Sequence, residues 1–225
     1  QTCALPISAT EETDIPVVYA AISDPESAGL VDIANVTGTS DALNTAFILD
    51  MMFAVQPDIK TVGLLYSRSE VNSETPIAQA KEYLDAKGVK YIEKTGNTTD
   101  EVLSAASELA ERCDAVFTPT DNVVMAAESA VAEILNEAGV PHYTGADSFV
   151  YSGAFTTCGV NYTELGEKTA EMAFDILLSG EIPAYKVMDG GIITVNTEVA
   201  AKLGVDYSAF NDMANTVIEV VTSEE

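Results

Sequence analysis

The sequence predicts an α/β protein built on doubly wound parallel sheets, and three observations predict it. Between residues 61 and 144, short apolar runs alternate with longer segments whose apolar residues recur every three to four positions. That is the pattern of strands joined by crossover helices. The runs are continuously apolar rather than alternating, as strands covered on both faces should be. Finally, each segment after a run is rich in hydrogen-bonding side chains, whereas the segments before the runs (QPDIK, AKGVK, ERCD and EAGVP) carry ordinary glycine, proline and charge punctuation.

The elements follow in order. Residues 15–22, IPVVYAAI, read as a buried strand. Thr39 or Ser40 stands where a cap is needed for a helix carrying Leu43, Phe47, Met51, Ala54 and Val55 toward Pro57. TVGLLY at 61–66 is the next strand, and the helix after it runs to about Lys87, where Gly88 stops it. A strand follows at 89–93. Thr98 and Glu101 make a capping box for a helix with Val102, Leu103, Ala106 and Leu109 inward. DAVFT at 114–118 is strand-like, and PTDN opens a helix burying Val124, Ala127, Val131, Ile134 and Leu135. Gly139 and Pro141 end that helix, and strands follow at 141–144 and 154–160. A helix from Thr163 to Leu178 ends at Gly180 with Pro183 beyond. GIITV at 191–195 is a last strand, and NTEVAAKLGV a last helix.

Composition narrows the function classes. With 225 residues, 47% of them hydrophobic, the chain can bury a substantial core. Thirty-six acids against 10 bases give a formal charge of −26, which repels nucleic acid and anionic membranes. The acids are scattered over helix faces, the short Glu224-Glu225 end excepted. No apolar run approaches the ~18 residues of a membrane span, and the text does not open with a basic and then apolar leader. The cysteines stand at 3, 113 and 158 without a C-x-x-C pair, and the one histidine, His142, lies in a strand-like VPHYTG. No zinc pattern results. Cys113 and Cys158 read as small core hydrophobes; their spacing leaves a bond between them open. The nucleotide, phosphate and nucleophile-elbow motifs of doubly wound enzymes are missing, and no cofactor is implied.

In doubly wound sheets, ligands bind beyond the C-terminal ends of the strands. There this chain places Ser67–Ser73, Gly96-Asn97-Thr98, Thr120-Asp121-Asn122 and Gly145-Ala146-Asp147-Ser148. The first of these poses a question. A plain strand-to-helix connector needs one cap and two to six residues, yet SRSEVNS offers several polar side chains and no glycine.

Five phrases in unbroken order from about residue 13 to about 207 (IPVVYAAISDPESAGLV, VTGTSD, VGLLYSRSEVNS, FTPTDNVV and NYTELGEKTAEMAFDIL) resemble substrate-binding proteins of bacterial ABC importers. The similarity is to the branch linked to tryptophan and other aromatic amino acids. The resemblance implies a type I periplasmic-binding-protein-like fold with two hinged lobes and a small ligand caught between them. It also implies no catalysis, an ABC permease in the membrane as partner, and an extracytoplasmic place, in the periplasm or as a lipid-anchored lipoprotein, with the signal segment missing from this chain.

Family members carry a longer stretch before the IPVVYAAI-like strand. Only QTCALPISATEETD precedes it here, and QTCALPIS resembles no family text. The expectation is therefore an N-terminally truncated chain with an incomplete first lobe. Residues 1–12 would be disordered or foreign to the fold, 13–35 and 161–210 the remnant of the N-terminal lobe, 36–160 the C-terminal lobe and 211–225 a tail. Helix 163–178 would be partly uncovered.

The resemblance turns the polar edge into candidate ligand-binding residues. Ser67, Ser69, Asn72 and Ser73 would give donors to an amino-acid carboxylate at a helix start, with Ser69 or Ser73 also able to cap that helix. Asp121, beside Thr120, is either the partner of the ligand ammonium or an N-cap. Asp147 lies in GADSF, where relatives more often show Glu-Glu or Glu-Gly, so its reach is shorter. Asp24, in ISDP, is either a ligand contact or a turn-former. Tyr19, Tyr66 and Phe117 read as core. The effector-binding domain of a lac-repressor-like regulator shares this fold and is the rival reading; upstream sequence, helix-turn-helix against signal peptide, separates the two.

Overall fold

In the computed structural model, which describes residues 4–10, 13–188 and 190–223, the chain opens with α1 (Ala4–Thr10), β1 (Val17–Tyr19) and β2 (Val36–Ser40). Next come α2 (Thr45–Val55), β3 (Thr61–Tyr66), a 3-10 turn (Val71–Ser73), α3 (Glu74–Lys87), β4 (Lys90–Thr95) and α4 (Thr99–Ala110). Then follow β5 (Ala115–Thr118), α5 (Asn122–Met125), α6 (Glu128–Glu137), β6 (His142–Thr144), α7 (Asp147–Tyr151) and β7 (Thr156–Gly159). The chain closes with α8 (Tyr162–Ser179), β8 (Lys186–Val187), β9 (Ile192–Asn196), α9 (Thr197–Leu203), α10 (Phe210–Met213) and β10 (Thr216–Val220). Cys3 and the Glu224-Glu225 end lie outside the described residues.

The elements form two units, one of Gln1–Ala42 and Val160–Gly190, the other of Leu43–Gly159 and Gly191–Glu225. The larger unit holds a seven-stranded sheet in the order β10-β9-β7-β6-β5-β3-β4. Its strands β3 to β7 are mutually parallel, and β9 joins β7 antiparallel with β10 parallel to it. One face is covered by α2 and α3, where Ile48, Leu49, Met52 and Leu84 meet Leu64 and Phe117 of the sheet. The other face packs Val102, Leu109, Val131 and Leu135 of α4 and α6 against Leu65 and Val116. Both faces are dry around β3 and β5, which is why those strands read as apolar runs.

From β3 the chain passes outward to β4 and then returns to the other side of β3 as β5. The strand order therefore reverses between β3 and β5, and the edge beyond their C-terminal ends is where doubly wound sheets bind ligands. The loops that follow those two strands, 67–73 and 119–121, meet there.

The smaller unit is a three-stranded parallel sheet, β1-β2-β8, with α8 against it. Thr39 Oγ1 lies 2.6 Å from Thr169 Oγ1, and Thr37 Oγ1 donates to Met172 Sδ. Gly38 sits opposite Tyr19 so closely that a Cβ would stand 2.2 Å from the Tyr19 carbonyl oxygen. On α8, Phe174, Leu177 and Leu178 are 60%, 82% and 72% exposed, in keeping with a partly uncovered helix.

Several expectations shift. Thr39 and Ser40 end a strand rather than cap a helix, because VTGTS pairs with β1; Asn44 caps α2 instead by accepting from the Phe47 amide at 3.1 Å. Residues 4–10, expected to be disordered or foreign, form a helix whose Ile7 packs on Tyr19, Leu30 and Val36. The stretch 161–210, assigned to one lobe, divides at Gly190: β9 hydrogen-bonds to β7 and so belongs to the larger sheet. The tail after 210 likewise supplies α10 and the edge strand β10 to that unit. The Thr98–Glu101 capping box forms: the Glu101 amide donates to Thr98 Oγ1 at 3.3 Å, and Glu101 Oε2 accepts from the Asn97 amide at 2.8 Å.

Candidate functional site

The switch-point edge of the larger unit is wired by one carboxylate. Asp121 follows β5 by three residues and has no solvent exposure. Its Oδ1 accepts from the amides of Val123 and Val124, both at 3.0 Å, which caps α5. Its Oδ2 accepts from the Ser67 amide and from Ser73 Oγ, both at 2.7 Å. A carboxylate offers about four acceptor positions, and here protein donors take all four. The cap reading of Asp121 thus holds. Its reading as the direct partner of a ligand ammonium does not fit this conformation, since no oxygen is free or exposed.

The same wiring answers the question posed by SRSEVNS. Ser67, at the end of β3 and fully buried, donates through its hydroxyl to Asn97 Oδ1 at 3.0 Å. Ser67 Oγ also lies 2.7 Å from Ser69 Oγ and accepts from the Ser69 amide at 3.1 Å. Asn72 donates through Nδ2 to the Thr120 carbonyl, and Asn122 donates to Glu70 Oε2 at 2.8 Å. The surplus side chains therefore bind this turn to the 96–98 and 119–122 loops. Neither Ser69 nor Ser73 caps α3 through its side chain. What the wiring leaves over is backbone: among the described residues, the amides of Arg68, Val71 and Asn72 donate to nothing.

The 119–121 loop is held from its other side by Gly145, which follows β6. A Cβ there would stand 2.5 Å from the Thr120 amide nitrogen, and the Thr120 hydroxyl donates to the Gly145 carbonyl at 3.3 Å. Two residues on, Asp147 opens α7. It is half-buried, and among the described residues its carboxylate accepts no hydrogen bond. It is the unsatisfied acid of this edge. Asp24 belongs to the smaller unit and forms a turn: its oxygens accept from the amide and hydroxyl of Ser27 at 2.9 and 2.8 Å. Sequence reasoning placed Asn97 and Gly145 on the edge without giving them a role. The signal for Gly145 was its place directly after a buried strand, where close backbone approach excludes a side chain.

At the flank of the edge, Tyr66 ends β3 and donates to Glu93 Oε2 at 2.9 Å, while Lys81 meets the same oxygen at 2.6 Å. Burial pushes Glu93 up, but the hydrogen bonds from Lys81 and Tyr66 outweigh it and hold the carboxyl below its ordinary value. Burial and the Glu93 contact both push the Tyr66 phenol up. Cys113 and Cys158 are buried free thiols, each pushed up to about 11 chiefly by burial.

A unit with a doubly wound sheet and a polar switch-point edge, and a second unit with a small parallel sheet to which the chain crosses and from which it returns, are the two parts of type I periplasmic-binding proteins. The chain belongs to the family of ABC transporter substrate binding proteins, whose model matches residues 2–215 and so takes in the opening segment. A tyrosine-binding protein of Clostridioides difficile (strain R20291) is 34% identical over 188 residues, covering 80% of this chain and 54% of that protein. The chain thus spans about half the length of the curated relative it matches. The crystal structure of an ABC domain in complex with L-Trp from Streptococcus pneumonia superposes with a TM-score of 0.84 at 29% identity, over 94% of this chain and 74% of that one. A conserved domain protein from Vibrio cholerae gives 0.86 at 28% identity, over 96% and 75%. A LacI family transcriptional regulator from Enterococcus faecium, at 17% identity and a TM-score of 0.56 over 84% and 80%, shares the fold alone.

Proposed function

We propose that this chain is the solute-binding component of an ABC importer, that it takes an L-amino acid with an aromatic side chain, and that it delivers this ligand to a membrane permease outside the cytoplasm. It does so without catalysis and without a cofactor. The observation that carries the reading is what the wiring of the edge leaves uncommitted: amide donors at Arg68, Val71 and Asn72, where α3 begins, and the carboxylate of Asp147 on a neighbouring loop. A zwitterion needs both. Amides at a helix start suit an anion, and a partly buried carboxylate suits an ammonium. A sugar would call for stacking aromatics, and the chain has no tryptophan. The aromatic preference draws on the tyrosine and L-Trp named for the two relatives above.

In this reading the backbone amides of the turn 67–73 hold the ligand carboxylate and Asp147 holds the ammonium, while the Ser69 hydroxyl stays committed to Ser67 Oγ. Ser67, Asn72, Ser73, Thr120 and Asp121 keep that turn in shape. Asp24 shapes its own turn in the smaller unit. Calorimetric titration with L-tyrosine, L-tryptophan, L-phenylalanine and D-ribose tests it. Binding of the aromatic amino acids and not of ribose is expected. Asp147→Asn should weaken it by about 1.5–3 kcal/mol, or roughly ten- to a hundredfold, the worth of one charge-assisted bond. Binding of ribose alone would overturn the ligand class; undiminished affinity in Asp147→Asn would overturn the site.

A further inference from the structure

The larger unit buries an acid and an imidazole directly beneath this edge. His142, the one histidine of the chain, opens β6 with no solvent exposure. Its Nδ1 lies 2.9 Å from Glu128 Oε1 and its Nε2 lies 2.8 Å from Thr118 Oγ1. Glu128 is the first residue of α6 and Thr118 the last of β5, so one ring ties a helix to the end of the neighbouring strand. Glu128 is as fully buried as its partner, and its Oε2 has no hydrogen-bond partner. The position matters: the 119–121 loop starts at the residue after Thr118, and the Gly145–Asp147 loop starts three residues after His142.

We propose that His142 and Glu128 are positioning residues for these two loops, and that they act by holding one proton between them. The purpose assigned to the pair rests on the binding function proposed above, but its test does not.

The surroundings determine the charge of the pair. From β5 it faces the neutral Thr118, and from α7 the edge of the Phe149 ring, with centroids 6.5 Å apart. Asp147, at the start of α7, is only half-buried; Asp121 is saturated by its four donors; Glu133 and Glu137 of α6 are exposed. Cys113, before β5, stays a neutral thiol because burial pushes it up to about 11. Tyr143, next along β6, donates instead to Gln56 in the opposite layer. Among the described residues no third charge balances the pair, so a single shared proton, with no net charge, is the state a dry layer favours. Burial raises the Glu128 carboxyl, with His142 pulling it the other way. A raised folded-state value contributes stability that is complete below the ordinary carboxylate range and is lost as pH rises through the raised value. Loss of the proton leaves a carboxylate with a bare oxygen in an apolar layer. Movement of Glu128 and α6 away from β5 and β6 relieves that, and it releases the His142 ring and, through it, Thr118, the two loop roots the ring had tied to the helix.

Because the chain has one histidine, its ring gives a single assignable NMR signal. The experiment follows that signal and the amides of Thr120, Asp121 and Gly145 between about pH 5 and 9, without ligand. All four are expected to move along one titration curve, and Glu128→Gln, which keeps the volume and cannot ionise, should remove that curve from the loop amides. His142→Gln should do the same; if it fails to fold, the unsubstituted chain and Glu128→Gln decide. Loop amides that stay still while the ring titrates, a ring that does not move at all, or an unchanged curve in Glu128→Gln would each overturn the proposal. A coupled titration in a chain that binds no amino acid would leave the bracket standing and remove the binding function.

Discussion

Replacing Asp121 by alanine removes the carboxylate that joins the two switch-point loops, and the structure gives the size of the effect. The N-cap of α5 is worth about 1 kcal/mol. Ser67 N–H and Ser73 Oγ, both donating at 2.7 Å in fully buried positions, lose their acceptor. Each such orphaned donor costs about 1–3 kcal/mol, less for a hydroxyl that can rotate. The sum is about 3–5 kcal/mol. At about 2–4 °C per kcal/mol for a chain of this size, calorimetric melting should fall by about 6–20 °C. Asp121→Asn separates the two halves of the role. Its Oδ1 can still cap Val123 and Val124, but its Nδ2 then faces the Ser67 N–H donor, at about 1.5–3 kcal/mol. Amide exchange reads the same event locally: the Ser67 amide should lose protection in both variants, the Val124 amide only in Asp121→Ala. A melting change within about 0.5 kcal/mol of the parent, the range of an ordinary surface substitution, or a Ser67 amide still protected in Asp121→Ala, would refute the reasoning.

Two further outcomes follow from contacts around the same edge. Gly145→Ala places a Cβ 2.5 Å from the Thr120 nitrogen and 2.7 Å from its hydroxyl; backbone must move, so amino-acid affinity should drop at least tenfold while far-UV circular dichroism stays that of the parent, and unchanged affinity would contradict the close packing of the loops. Glu93 is an exposed residue held below its ordinary value, so its contribution is present above about pH 4.5 and is lost as pH falls through the lowered value. Lys81→Met should flatten that part of the acid limb and cost at most about 1 kcal/mol at neutral pH, measured by urea titration; an acid limb identical to the parent would remove the pair from the account.

The sequence alone determined the alternation of strand and helix from β3 to β7, because the central strands β3 and β5 are buried on both faces and each long helix keeps one apolar stripe. Local chemistry marked the caps at Thr98 and Asp121 and the stops at Gly88 and Gly180, since a left-handed residue or a side-chain acceptor is needed within one turn of the element it ends. Where pairing was non-local, the reading fell short. VTGTS is polar enough to resemble a cap, and only its register against β1 makes it a strand. TVIEV reads as a tail until β9 pairs with it, and β9 itself changes unit by pairing with β7. The candidate site divides in the same way. That the edge is polar was legible in the chain, but which polar groups are used up was not. Asp121 reaches Ser67 and Ser73 across 54 and 48 residues, and His142 reaches Thr118 across 24. Whether a carboxylate is free for a ligand depends on how many donors surround it, and folding alone brings those donors together.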